Sequence, residues 1–134
     1  MSIAPPNSSA YTFRVRYFET DQMHVAHHAN YLVWFESARS EYCRDRGIDY
    51  TAMEKQGMFL PILEARCRYK LPARYDDLLT VHTYVREITR RTLHMGYSVT
   101  RDGVEIASGE TTQMLIGENG RPRSFPEEIA EMFR

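Results

Sequence analysis

A chain of 134 residues, 43% hydrophobic and 26% charged, with a formal net charge of -1, can close a core without disulfides or metals, since a domain of this size buries about two-thirds of the surface its unfolded form exposes. The near-neutral balance excludes a nucleic-acid binder working through bulk positive charge, so any anionic ligand must be met by local cations. No run nears the ~18 apolar residues of a membrane span, no basic stretch leads into an apolar signal core, and Cys43 and Cys67 lack CxxC spacing and read as reduced thiols, so a cytoplasmic location is expected.

Residues 1–10, with Pro5, Pro6, Asn7, Ser8 and Ser9, read as an irregular lead-in, and residues 11–134 as one domain without internal repeats. Tyr11, Phe13, Val15 and Tyr17 alternate with Thr12, Arg14 and Arg16, the period of a strand with one buried face. The segment from Tyr17 to Tyr31 then brings Asp21 together with His24, His27 and His28 just ahead of an amphipathic run. Tyr31, Phe35, Ala38 and Tyr42 recur at helical steps, Trp34 widens the stripe, Asn30 is the expected cap, and Gly47 the expected stop. From about Ala29 to Arg46 this helix would be roughly 27 Å long, enough to cross a small domain.

A short second helix is expected within Ile48 to Met58. Leu63, Ala65, Cys67, Tyr69 and Leu71 then alternate with Glu64, Arg66, Arg68 and Lys70 in the clearest strand pattern, which Pro72 ends. Two more strands follow, on Leu79, Val81, Thr83 and Val85 and on Leu93, Met95, Tyr97 and Val99. Asp102-Gly103 suits a tight hairpin turn. Val104 to Ile116 forms the fifth strand, with Gly109 marking a bulge. A basic loop, Gly117 to Pro126, leads to a last helix from Glu127 to Phe133. One strand, one long helix and four strands joined by short turns make an α+β fold with an antiparallel sheet, and no glycine-rich phosphate loop is present.

Taken alone, Asp21 suits a turn or cap as well as catalysis. His24, His27 and His28 share the i, i+3, i+4 spacing of a metal site. The segment precedes the helix, however, and no second ligand cluster accompanies it, so no metal or cofactor is expected. His82 and His94 fall on polar strand faces, as solvent-facing or interface residues rather than ligands.

Four motifs occur together: Arg14-Val-Arg-Tyr-Phe-Glu-Thr-Asp21, His28-Ala-Asn-Tyr31 leading into Phe35-Glu-Ser-Ala-Arg39, Tyr69-Lys-Leu-Pro-Ala-Arg-Tyr-Asp-Asp77, and Gly120-Arg-Pro-Arg-Ser-Phe-Pro126. Over nearly its full length the chain thus resembles the hotdog-fold acyl-CoA thioesterases of the 4-hydroxybenzoyl-CoA thioesterase type, including the Tol-Pal-associated bacterial branch. That resemblance implies a five-stranded antiparallel sheet wrapped around one long central helix. It also implies homodimers or homotetramers with active sites at the subunit interface, and hydrolysis of a small, medium-chain or aromatic acyl-CoA without metal or bound cofactor. Asp21 matches the catalytic carboxylate, the amide near His28 the group that polarises the thioester carbonyl, and Tyr17 and the His28 side chain two further site residues. Arg90 and Arg91 fall where basic residues meet the phosphates of coenzyme A, with Arg121 and Arg123 as additional candidates.

One departure is that relatives commonly carry glycine two or three residues after the aspartate, where this chain has Met23 and His24, so a different loop path is expected. Glu36 is the rival carboxylate, because another hotdog branch uses a glutamate on the central helix; an ion pair or buried hydrogen bond is the expected role for it here. Two alternatives stand beside the acyl-CoA reading, a thioesterase acting on acyl-carrier protein and a non-catalytic acyl-binding subunit.

The chemistry suits these residues. Thioester hydrolysis needs a group that attacks the carbonyl carbon, or activates water to do so, and a donor for the developing oxyanion. A carboxylate of ordinary acidity is ionised at neutral pH and can serve as nucleophile or general base. Unpaired amides at a helix start can supply the donor.

Overall fold

The computed structural model describes Pro5 and residues 7–134; residues 1–4 and Pro6 of the expected lead-in lie outside the described residues. Nine elements follow in order: β1 (Ser9–Arg14), a 3-10 turn (Tyr17–Glu19), α1 (Asn30–Asp45), α2 (Tyr50–Lys55), β2 (Ile62–Tyr69), β3 (Leu78–Ile88), β4 (Thr92–Arg101), β5 (Val104–Met114) and α3 (Glu127–Phe133). Ser9 and Ala10 therefore belong to β1 rather than to the lead-in. The Ser9 hydroxyl, in a buried residue, donates to Asp45 at 2.6 Å and ties the strand to the far end of α1.

All strand pairs are antiparallel, in the order β1-β3-β4-β5-β2. The expectation of four successive strands joined by short turns holds for β3-β4-β5 and fails for β2, which crosses to the opposite edge and pairs with β5. One face of the three central strands carries Leu79, Val81, Leu93, Met95, Tyr97, Val99 and Ile106, all fully buried, and α1 lays Tyr31, Trp34, Phe35, Ala38 and Tyr42 against them. The stripe read from helical spacing is thus the core contact. Gly47, at φ 71°, ends that helix region in the left-handed conformation glycine accepts.

Gly109 is not a bulge. Its register with Tyr97 and Cys67 is continuous, and the shifts lie between Ile62 and Glu64, Val85 and Glu87, and Val99 and Thr100. Its small size is needed because the Phe35 ring lies over it, and an added Cβ would sit 2.3 Å from Phe35 Cε2. Phe35 in turn stacks on Tyr97, with centroids 4.4 Å apart and planes at 9°.

β2 departs from the expectation its sequence raised. The alternation is present, but α1 covers the apolar face only in part: Tyr31 meets Tyr69 edge-on at 4.9 Å and Cys67 is half-buried against the core, while Leu63 stays 57% and Tyr69 46% exposed. Its outer edge pairs with no other strand among the described residues.

Candidate active site

The segment after β1 folds into a small hairpin of its own. The Asp21 amide donates to the Val25 carbonyl at 2.9 Å, Thr20 bridges Ala26, and the His27 amide donates to the Glu19 carbonyl at 2.8 Å. The Ala26 amide pins the hairpin to the Ala73 carbonyl at 2.7 Å, in the connection between β2 and β3. Asp21 stands at the tip, half-buried. One carboxylate oxygen accepts from the Met23 amide at 2.8 Å, and its carbonyl accepts from the His24 amide at 2.9 Å, so Asp21 closes a turn as its residue type allows. Its second carboxylate oxygen has no hydrogen-bond partner among the described residues and is available to a substrate.

His24 adopts φ 66°. Position 24 thus takes the left-handed conformation that glycine favours, and carries an imidazole there at a local cost of about 1 kcal/mol. Tyr17, Phe18, Thr20, Asp21, Gln22 and His24 line a cavity of about 680 Å³. Tyr17 lies in the 3-10 turn, not in a strand. It is 77% exposed and meets Tyr75 edge-on at 5.7 Å. Tyr17 and Asp21 thus share one cavity wall, which carries no bond between them.

At the start of α1 the structure revises the expected donors. Ala29, not Asn30, is the cap, and Asn30 turns its side-chain amide to the Glu19 carbonyl at 2.7 Å. The amides of Asn30, Tyr31 and Leu32 donate three residues back, to His27, His28 and Ala29, and the Ala29 amide donates to His27 Nδ1 at 3.2 Å. This tight first turn consumes amides that an open helix end would leave free. Between residues 27 and 32, only the His28 amide has no acceptor among the described residues, which makes it the donor available to an oxyanion. The His28 ring is exposed, stacked on His27 at 4.2 Å.

The His28 peptide is also held from the sheet edge, where Tyr69 donates its hydroxyl to the His28 carbonyl at 2.9 Å. Burial of the phenol, then its bond with Cys67 and the Cys67 and Tyr31 charges, push Tyr69 up to about 12 from 10.0. A raised folded value favours the neutral form, so this contribution to stability is whole below pH 10.0 and is lost as pH rises toward about 12. In urea titrations across that window, Tyr69→Phe is expected to lessen the fall of unfolding free energy, by up to one proton in the slope. An unchanged slope would contradict the assignment.

The carboxylate that sequence reading passed over is Glu19. It is 3% exposed, with one oxygen accepting from Trp34 Nε1 at 2.8 Å and the other from the Arg16 amide at 2.7 Å. Its only sequence signal was its place two residues before Asp21. Glu36, expected to be paired or buried, is exposed and makes no hydrogen bond or ion pair among the described residues, because the inward turn of Trp34, Phe35 and Ala38 points position 36 outward.

The cations gather elsewhere. Arg90 donates to the Ser124 hydroxyl at 2.9 Å, and its carbonyl accepts from the Phe125 amide. The Arg91 carbonyl accepts from Leu115, whose own carbonyl accepts from the Arg123 amide at 3.0 Å. Arg121 and Arg123 line a cavity of about 570 Å³ with Lys55, a cation the sequence reading did not include. All lie by the β3-β4 turn, whereas Asp21 lies by the start of β3; the strand between them spans on the order of 30 Å. One chain therefore does not bring Asp21 and these arginines together.

His82 and His94 engage cross-strand threonines: Thr100 at 3.4 Å for His82, and Thr112 at 3.2 Å for His94. Among the described residues no three His, Cys, Asp or Glu side chains converge as a metal site requires, and no helix is long and apolar enough to cross a membrane.

Comparison with known proteins gives these features a context. Residues 15–133 match the model of the thioesterase-like superfamily. The chain is 36% identical over 124 residues to a putative esterase of Aquifex aeolicus, covering 92% of this chain and 96% of that protein. It is 31% identical over 130 residues to the acyl-CoA thioesterase YbgC of Haemophilus influenzae, with 95% of each covered. Among solved structures, the DHNA-CoA thioesterase from Staphylococcus aureus superposes with a TM-score of 0.88 at 30% identity, over 94% of this chain and 88% of that one. A five-stranded antiparallel sheet around one long helix, a matched family model over almost the whole chain and relatives of equal length agree: this protein belongs to the thioesterase-like superfamily of hotdog-fold enzymes.

Proposed function

We propose that the chain is an acyl-CoA thioesterase, releasing free acid and coenzyme A, and that residues 9–134, from the first residue of β1 onward, form its single domain. The observation that carries the reading is that one short segment holds both a carboxylate with a free oxygen, Asp21, and, seven residues on at the helix start, a free amide, that of His28. Asp21 attacks the thioester carbon, or deprotonates the water that does, and the His28 amide receives the developing oxyanion. Tyr17 and the His28 ring flank the acyl group. Names of relatives, an acyl-CoA thioesterase among them, support the substrate class. Two free thiols, Cys43 buried and Cys67 half-buried, fit a reducing, cytoplasmic setting.

Arg90, Arg91 and Arg123 serve the phosphates, from a second copy of the chain. The uncovered face of β2 and its unpaired edge are the surface on which that copy docks, making a homodimer the minimal active unit and a homotetramer its doubling. The test is thiol release from a panel of aliphatic and aromatic acyl-CoA thioesters. With substrate well below KM, a variant carrying Arg90→Ala and Arg123→Ala is expected to lose about 100-fold or more in rate through KM, since each of the two charged hydrogen bonds removed contributes about 1.5–3 kcal/mol. Co-expressed with Asp21→Asn, it forms mixed dimers in which one site recovers both intact halves. Their rate should exceed the mean of the two parents; a rate no higher than that mean would sink the shared-site reading.

A further inference from the structure

Beyond the groups that face substrate, we infer that Glu19 is the positioning residue that sets the Asp21 carboxylate against the His28 amide, an inference that rests on the proposed hydrolysis. The argument begins with burial. A carboxylate 3% exposed must have its oxygens satisfied, and its nearest cation, Arg16 Nε at 3.8 Å, belongs to a largely exposed side chain. The bonds that satisfy it come instead from two places that the site must hold in register. One oxygen takes the indole N–H of Trp34, one turn inside α1, at 2.8 Å. The other takes the Arg16 amide at 2.7 Å, at the entrance to the 3-10 turn.

The backbone of the same residue continues the clamp. The Glu19 carbonyl accepts both the His27 amide at 2.8 Å and the Asn30 side-chain amide at 2.7 Å. Four donors, from residues 16, 27, 30 and 34, thus converge on one residue. Asp21 follows it by two positions, and His28 follows its ladder partner His27 by one. A roll of α1, or a slip of the hairpin, would change the Asp21-to-His28 separation and would have to break these bonds first. The indole bond matters most, because it alone joins the side chain to the body of the helix. A charged acceptor makes that bond roughly twice as strong as a neutral one would. Trp34 is otherwise plain core, packed on Phe13 and Tyr31, so its N–H has no need of a carboxylate beyond being satisfied.

The experiment compares kcat and KM for thiol release in wild type, Glu19→Gln, Glu19→Ala and Trp34→Phe, with melting temperature and the assigned 15N–1H resonance of His28 as independent readouts. Misplacement of reacting groups by about 1 Å costs on the order of 100-fold. Glu19→Ala is therefore expected to lose about 10- to 100-fold in kcat with KM within about twofold. Glu19→Gln, which keeps one acceptor oxygen, should recover most of that loss. Trp34→Phe, which keeps an aromatic side chain but removes the donor together with part of the buried ring system, should fall between them, and the His28 resonance should move in the same order. If Glu19→Ala does not fold, the Gln and Trp34→Phe variants carry the comparison. The inference is overturned if kcat stays at wild-type level in the folded variants, or if kcat falls only in step with melting temperature while the His28 resonance is unmoved. Absence of turnover in wild type would instead refute the hydrolytic reading, and the His28 resonance would then judge the clamp by itself.

Discussion

Asp21→Asn is expected to lower kcat for thioester hydrolysis by about 100-fold or more while leaving the fold intact. The structure explains why both parts should hold. Asparagine retains a side-chain oxygen, which can still accept from the Met23 amide, so the turn at the hairpin tip survives. What it loses is the second, unpartnered oxygen with its negative charge, replaced by an amide nitrogen that can neither attack a thioester nor take a proton from water. KM should change little, because none of the arginines proposed to hold the phosphates bonds to Asp21. Thiol release and thermal melting measured side by side check this. A folded Asn variant that turns over at the wild-type rate would remove Asp21 from the mechanism and reopen the case for a binding subunit.

The largest effect on stability is expected at the contact between α1 and the sheet centre. Phe35→Ala should cost about 3–5 kcal/mol, because a fully buried ring is removed from between Tyr97 and Gly109 and the rigid sheet cannot collapse into the space. Gly109→Ala should cost about 1–3 kcal/mol for the opposite reason, since the added Cβ meets the ring at 2.3 Å and the Arg66 carbonyl at 2.8 Å. The two changes relieve each other in part. The double variant should therefore be less destabilised than the sum of the singles, with coupling of about 0.5–3 kcal/mol. Urea unfolding at one fixed protomer concentration measures all three, and strict additivity would mean that the ring and the glycine do not determine one another.

What the residues themselves made legible follows from what periodicity can encode. The buried face of α1, the faces of β3 and β4, and the hairpin at Asp102-Gly103 are local patterns, and each appears where its spacing put it. β2 has an equally regular pattern, yet alternation says only that one face is apolar, not what lies against it. Its place at the far edge depends on a crossover that no local signal records. The helix start was misread for a similar reason. Asn30 is a favoured capping residue, but a tertiary acceptor, the Glu19 carbonyl, claimed its side chain and left Ala29 as cap. Motif resemblance alone proposes Asp21, Tyr17 and His28 as site residues, and geometry divides the helix-start amides into spent ones and a free one. Glu19 was hidden because burial of a charged side chain is a three-dimensional property. A carboxylate in a polar loop gives no warning of it.

The bare edge of β2 has a consequence for the life of the newly made chain. The strand offers a row of unpaired backbone groups to any extended segment in its surroundings, including the edges of half-folded neighbours. Glu64, Arg66 and Arg68 alternate along that strand, Lys70 follows just beyond its end, and three of these four are cations. They charge the side chains that an intruding strand would have to lie beside, so a stranger must bring matching charges in the right register. Protection against strangers is thus written into the same alternation that leaves the strand exposed.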